Sequence, residues 1–227
     1  MAEFDAVARS YTDQHKQSIR LSGESVDYFA RYKIEDARRW ADERSVQVRR
    51  ILDFGSGIGN SLQPMLEQFP GAEITCLDVS EDSLELSRST HHEKVRFRHY
   101  DGNNLPDDLG SFDLIFTACV FHHIPQEAHI SLLRQLRARL SPGGFFILFE
   151  HNPWNPLTRH AVNNCPFDEN AVLISAFEMR RRFKLAGFTQ TRVNFRVFFP
   201  GPLAGLRVLE SALVRLPIGA QYFIAAT

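Results

Sequence analysis

The chain has 227 residues, of which 44% are hydrophobic and 23% charged, the balance of an ordinary globular domain with enough apolar mass for a substantial core. Its 26 Lys and Arg nearly offset 27 Asp and Glu, so no field of one sign exists to draw in nucleic acid or an anionic membrane. Three scattered cysteines, Cys76, Cys119 and Cys165, form neither a disulfide framework nor a metal-ligand spacing. The start of the chain lacks signal-peptide character and no apolar run could span a bilayer, so a reducing, cytoplasmic setting without a metal is expected.

An N-terminal segment, 1–45, carries a predicted helix over 24–40, with Tyr28, Phe29 and Tyr32 placed to pack on a sheet. From Val46 onward, β-branched and aromatic runs alternate with helical periodicity, the pattern of a mostly parallel sheet covered by helices. The strands predicted are 50–54, 73–78, 95–100, 112–118, 144–150, 191–198 and 221–226. The helices predicted are 61–69, 81–89, 126–140 and 171–186, each with apolar residues three and four apart. The helix over 126–140 shares Ile130, Leu133, Leu136 and Leu140 on one face, and the run Arg180-Arg181-Arg182 with Lys184 reads as a solvated helix face rather than an RNA-binding patch. Two segments, 151–170 and 199–219, break the alternation. Each follows a strand, so each is expected over the sheet edge where open α/β proteins bind ligands; the second holds a predicted helix, 203–216, with Leu206, Leu209, Leu213 and Leu216 on one face.

The first strand ends at Asp53-Phe54 and runs into Gly55-Ser56-Gly57-Ile58-Gly59, placing a glycine loop at a strand-to-helix turn. Glycine there permits positive φ and close approach of a ligand to the backbone. A dinucleotide fingerprint asks for Gly or Ala at position 60, where this chain has Asn60, and an acid before the loop would repel a pyrophosphate.

Alternating glycines behind an acid form the D-x-G-x-G-x-G pattern, and in it the chain resembles the class I S-adenosylmethionine-dependent methyltransferases. The resemblance extends over 46–150 through Leu77-Asp78-Val79-Ser80, Asp101-Gly102-Asn103, the strand and loop 112–125, and the turn Ser141-Pro142-Gly143-Gly144. It implies a doubly wound, seven-stranded, mostly parallel α/β sheet of Rossmann-like type with an N-terminal helical lid and a helix inserted before the last strand. It also implies one domain: lid 1–45, cofactor core 46–150, and C-terminal half 151–227 with substrate-side loops.

For S-adenosylmethionine, the resemblance assigns Asp53, Gly55, Ser56, Gly57 and Gly59 to the amino-acid moiety, and Asp78 with Val79 to the ribose. Asp101, Gly102 and Asn103 fall to the adenine, Ala118, Cys119 and His123 to the methionine portion, and Tyr11 to the N-terminal cover. Each acid also has a structural reading: Asp53 as organiser of the loop amides, Asp78 as a helix acid beside the Ser80 cap, Asp101 as a turn former. Cys119 reads as a packing residue rather than a nucleophile.

His122, His123 and His151 fall at strand ends beside the expected methyl position, and one of them is the candidate general base, with His122 on the substrate side; shaping of the loop is the alternative. His99 reads as structural. Trp154 and Arg159 either contact the acceptor or close the lid. Transfer of the methyl to an oxygen or nitrogen of a small molecule, leaving S-adenosylhomocysteine, is the expected activity. A non-catalytic binder of the same cofactor and a nicotinamide-dependent oxidoreductase are the competing readings. Partners other than a small-molecule acceptor are not expected, and the oligomeric state is open.

Overall fold

A computed structural model describes residues 22–90 and 95–227, so Tyr11, expected over the cofactor, lies outside the described residues. Seven strands form one sheet in the order β3-β2-β1-β4-β5-β7-β6: β1 Arg50–Phe54, β2 Glu73–Asp78, β3 Val95–His99, β4 Phe112–Ala118, β5 Leu140–His151, β6 Thr191–Arg196 and β7 Gln221–Ala226. Only β7 runs antiparallel to its neighbours, β5 and β6. The helices are α1 Val26–Glu43, α2 Leu62–Gln68, α3 Glu81–Thr90, α4 His129–Ala138, α5 Pro156–Asn163, α6 Ala176–Leu185 and the single-turn α7 Glu210–Leu213.

The sheet is covered on both faces because its central strands are apolar on both. Along β5, Phe145, Ile147 and Phe149 pack with Ile34, Ala37, Trp40, Leu62 and Leu84 from α1, α2 and α3. Phe146 and Leu148 pack with Leu132, Leu133, Leu136, Met179 and Phe183 from α4 and α6. Successive strand residues face opposite sides, so an unbroken apolar run is what a two-sided core requires.

Several boundaries differ from the sequence expectation for physical reasons. The fifth strand begins at Leu140, because Leu140 pairs with Phe112 across a register shift and the Pro142-Gly143 turn becomes an irregularity inside the strand. The predicted helix 126–140 splits into a 3-10 turn, Gln126–Ala128, and α4, whose inner stripe is His129, Leu132, Leu133 and Leu136. Segment 151–170 is not irregular throughout: Asn155 accepts from Thr158 N at 3.0 Å and Pro156 occupies the first turn, which starts α5. The predicted helix 203–216 is mostly 3-10, Gly201–Leu209, followed by α7, and Leu206, Leu209 and Leu216 stand exposed instead of forming a buried face. In α6, Arg181 is solvated as expected, but Arg182 turns inward and donates to His129 Nδ1 at 2.7 Å and Gln126 Oε1 at 2.7 Å.

Helix α1 is fixed over the sheet edge by an ion pair. Arg196 at the end of β6 donates Nε to Asp36 Oδ2 at 2.7 Å and Nη2 to Oδ1 at 2.6 Å, a two-pronged match of guanidinium and carboxylate. Tyr32 on the next turn donates to Gln221 at the start of β7. Asp36 is buried, so removing Arg196 leaves a buried carboxylate with only the surface residue Arg39 as partner. Arg196→Met is expected to destabilise the protein by about 3 kcal/mol, and Asp36→Asn in the same chain to recover part of the loss, both read as shifts in the urea midpoint.

Candidate functional site

The strand order reverses between β1 and β4, and their carboxyl ends open on a cavity of about 760 Å³. Such a reversal separates the two connecting loops and leaves a crevice between them. One wall is the glycine loop. Gly55 N donates to Leu77 O at 2.8 Å, which turns the chain sharply with φ at 71°, and a side chain at this position would meet the Val120 Cγ2 atom at 2.4 Å. Gly57, also at positive φ, has no atom within 4 Å of where a Cβ would sit, so the backbone there is open to a ligand.

Asp78 holds this loop. Its Oδ2 accepts from Gly57 N at 2.7 Å and its Oδ1 from Ser80 N at 2.9 Å, while Ser80 Oγ caps α3 by accepting from Ser83 N at 3.2 Å. Burial raises the Asp78 pKa against these amide bonds, and the residue lines the cavity. Asp53 lies beside it, with Oδ2 buried and without a hydrogen-bond partner. Burial, and next the charge of Asp78, push the Asp53 pKa up to about 8.

Asp101 is exposed at the mouth. Its Oδ1 accepts from Asn103 N at 2.8 Å and Asn104 N at 3.0 Å, which holds the carboxyl below its usual range and gives it the turn-forming part. Ser56, Val79, Gly102, Ala118, Cys119, His122, His123 and His151 also line the cavity, whereas Gly59 and Asn103 do not. Gly59 instead allows α3 to pack close, since a Cβ there would lie 2.2 Å from Ser87 Oγ. His99, read as structural, contributes to the wall and contacts Val79 O at 3.1 Å.

The histidines gather at the opposite wall. His122 is buried in the 3-10 turn Phe121–His123, with Nδ1 at 2.6 Å from Glu150 Oε2 and Nε2 facing Asp168 Oδ1 at 3.5 Å. Desolvation lowers its pKa, but the negative charge of Glu150 and the two carboxylate contacts outweigh this and raise it well above the ordinary value. His123 Nε2 lies 3.3 Å from the same Asp168 oxygen. Glu150 is the organiser, accepting from Val120 N at 3.0 Å and Phe121 N at 2.8 Å through its other oxygen. Burial would raise Glu150, yet the His122 charge and hydrogen bond, then His151, bring it down to about 2.

Cys119 has charged and polar neighbours. It adopts a left-handed backbone, φ 59°, and its Sγ lies 3.7 Å from Lys33 Nζ and 3.9 Å from Gln221 Nε2. Burial raises the thiol, but the charges of His151 and Lys33 overcome it and set the pKa at about 7, while the thiolate in turn raises His151.

A methyltransferase-domain family model matches residues 52–146, the segment that holds β1 through β5 and the glycine loop. The ubiquinone biosynthesis O-methyltransferase of Acinetobacter baumannii (strain ACICU) is 25% identical over 164 residues, 67% of this chain and 63% of that protein. The fatty-acid O-methyltransferase of Mycolicibacterium smegmatis is 25% identical over 213 residues, 93% of this chain and 71% of that protein. A solved S-adenosylmethionine-dependent methyltransferase of Thermotoga maritima superimposes with a TM-score of 0.68 at 19% identity, covering 99% of this chain and 97% of the other. Residues 52–146 thus match a methyltransferase domain, and the chain as a whole has the fold of solved S-adenosylmethionine-dependent methyltransferases. It spans a little under two thirds, 63%, of the ubiquinone biosynthesis relative's length.

Within this methyltransferase fold the cavity is roofed by segments that the family model does not cover. α1 contributes Val26, Phe29, Ala30 and Lys33, and α5 contributes Leu157, Thr158, Ala161 and Val162. Thr158 Oγ1 donates to Ala220 O at 2.8 Å and Asn152 Nδ2 to Gly219 O at 2.8 Å, tying α5 to the turn before β7. Arg207 bonds Glu24 and draws the 3-10 segment onto the start of α1. Trp154 stacks near Phe177 at 5.4 Å and Arg159 is exposed, and neither lines the cavity.

Sequence reasoning assigned no role to Glu150 or Asp168. Glu150 had a legible signal, a carboxylate closing the all-apolar run Phe145–Phe149, where a buried acid needs partners. Asp168 had none, because nothing local in Pro166–Asp168 announces its reach to histidines 45 residues away in sequence.

The Asp53 carboxyl, with a folded pKa near 8 against about 4 when unfolded, favours folding most below about pH 4 and loses that contribution as the pH climbs through about 8. Asp53→Asn, a neutral mimic, is therefore expected to match the wild type near pH 4 and to exceed it increasingly up to about pH 8, measured as urea midpoints across that range without cofactor.

Proposed function

We propose that the protein is an enzyme that transfers the methyl of S-adenosylmethionine to an oxygen of a small, largely apolar acceptor, leaving S-adenosylhomocysteine. The observation that carries this reading is the Asp53 carboxylate, buried on the cavity floor without a partner next to Asp78. Two acids there suit a ligand that brings an ammonium and a sulfonium and oppose a pyrophosphate, which disfavours the nicotinamide reading. Asp78 retains acceptor capacity for ribose hydroxyls, Gly57 offers an open backbone, and Asp101 and Gly102 stand at the adenine end. Ala118, Cys119 and His123 flank the methionine portion.

The acceptor side is apolar, with Phe29, Leu157, Ala161, Val162 and Phe198 on the wall. The oxygen preference is supported by the relatives, which are O-methyltransferases of a ubiquinone precursor pathway and of fatty acids by name. In the reaction the acceptor oxygen forms a bond to the methyl carbon, the carbon–sulfur bond breaks, sulfur keeps the electron pair, and the acceptor proton leaves to solvent. The sulfonium activates the methyl by itself, so the chain's own task is to align donor and acceptor and exclude water, effects that reach roughly 7–11 kcal/mol when alignment is complete. His122, clamped between Glu150 and Asp168, orients the substrate-side loop rather than serving as a free base; His123 and His151 border the reacting region.

Calorimetric titration is expected to show one site for S-adenosylhomocysteine, with Asp78→Ala weakening it about 100-fold through loss of charged hydrogen bonds to loop and ribose; unchanged affinity refutes the assignment. A methyl-release assay over fatty acids, phenols and amines is expected to show turnover with the apolar oxygen nucleophiles. Cofactor binding without turnover on any of them favours the non-catalytic alternative.

A further inference from the structure

We propose that His122, His123 and Asp168 form a binding site for one divalent transition-metal ion at the acceptor end of the cavity. The three side chains come from two separate places in the chain, the turn after β4 and the Pro166–Asp168 turn after α5, and their ligand atoms all lie within 4.8 Å of one another. All three line the cavity, and His122 and Asp168 are buried.

The distances fit metal ligation as well as long hydrogen bonds. His122 makes a short hydrogen bond through Nδ1, 2.6 Å to Glu150, but its buried Nε2 has no hydrogen-bond partner, and Asp168 Oδ1 stands 3.5 Å away. His123 Nε2 is 3.3 Å from the same oxygen. Hydrogen bonds between nitrogen and oxygen lie near 2.7–3.2 Å. The edge of a tetrahedron built on metal–ligand bonds of about 2.0–2.1 Å is about 3.3–3.4 Å, close to the two separations from Asp168 Oδ1, with all three ligand atoms within 4.8 Å of one another.

The surroundings have the pattern of a metal site as well. Metal-ligating histidines nearly always give their other ring nitrogen to a carboxylate or carbonyl, which fixes the ring and its tautomer. Glu150 does this for His122, and is itself fixed by the Val120 and Phe121 amides. Two buried carboxylates converge on this spot, and with the histidines neutral a dication between the ligands takes the place of the positive charge they otherwise supply. Two histidines and one carboxylate suit zinc, iron(II), cobalt or manganese, and three protein ligands leave at least one position open toward the cavity. An ion there lowers the pKa of a coordinated hydroxyl or polarises a carboxylate. Use of that position by an acceptor oxygen rests on the function proposed above; binding of the ion does not.

The test uses the full chain, stripped with chelator and titrated with zinc chloride or cobalt chloride. One equivalent is expected to bind, with the intense visible absorption of four-coordinate cobalt and no thiolate charge-transfer band. Asp168→Asn is expected to weaken zinc at least 10-fold while S-adenosylhomocysteine still binds, which shows that the variant is folded. Failure to take up an equivalent of zinc, equal affinity in Asp168→Asn, or a weak six-coordinate cobalt spectrum overturns the site. Should Asp168→Asn not fold, the cobalt spectrum of the wild type decides alone. Absence of S-adenosylhomocysteine binding in the wild type counts against the methyl-transfer reading and leaves the metal titration to be judged separately.

Discussion

The buried Glu150 carboxylate is the contact on which the catalytic edge depends. It closes β5, the strand with the longest apolar run, and reaches across to the turn after β4, where Val120 and Phe121 present amides that no strand or helix partner accepts. A buried amide without an acceptor costs about 1–3 kcal/mol, so the loop that carries the histidines keeps its path because this one side chain satisfies two of them and orients His122 as well. The left-handed turn at Cys119 directs the same loop over the cavity.

Charge is partitioned along the cavity. On the glycine-loop side, Asp53 and Asp78 sit together with the His99 ring as the basic group acting on Asp78, and Asp53, whose Oδ2 has no hydrogen-bond partner, prefers to be neutral until a cation arrives. On the other side, His122, His123, His151 and Lys33 meet Glu150, Asp168 and the Cys119 thiol in a compensated network. The first arrangement is unstable alone and gains from a positively charged ligand. The second is stable alone and rigid. Under the function proposed above, a cationic methyl donor bridging them would meet attraction at its amino-acid end and fixed geometry at its reacting end, the division of labour that proximity catalysis needs.

The roof is built from segments far apart in sequence. Helix α1 is pinned by the Asp36–Arg196 pair, α5 by Thr158 and Asn152 to the turn before β7, and the 3-10 segment by Arg207 to Glu24. Because α5 and the 3-10 segment are short and tied by polar contacts to the turn before β7 and to Glu24, this roof changes at less cost than the two-sided core beneath it. Apolar residues left exposed on the 3-10 segment, Leu203, Leu206 and Val208, belong to this less buried part.

By itself the sequence determined the sheet and the glycine loop at its edge. Unbroken apolar runs, glycines at alternate positions and acids at the ends of successive strands are local signals, and β1, β2, β4 and β7 fall where the residues place them. They are legible because strand period, turn chemistry and helix caps act over a few residues. Helix α5 is hidden from sequence reading because prolines and polar residues mask a start that Asn155 caps, and the 203–216 helix differs because leucine periodicity does not reveal that Leu206, Leu209 and Leu216 stay exposed among the described residues. Tertiary structure alone decided the state of the histidines. Glu150, Asp168 and Cys119 lie far from one another or from their partners along the chain, and the burial and charge contacts that shift His122, Glu150 and Asp168 belong to the packed sheet and its roof rather than to any segment.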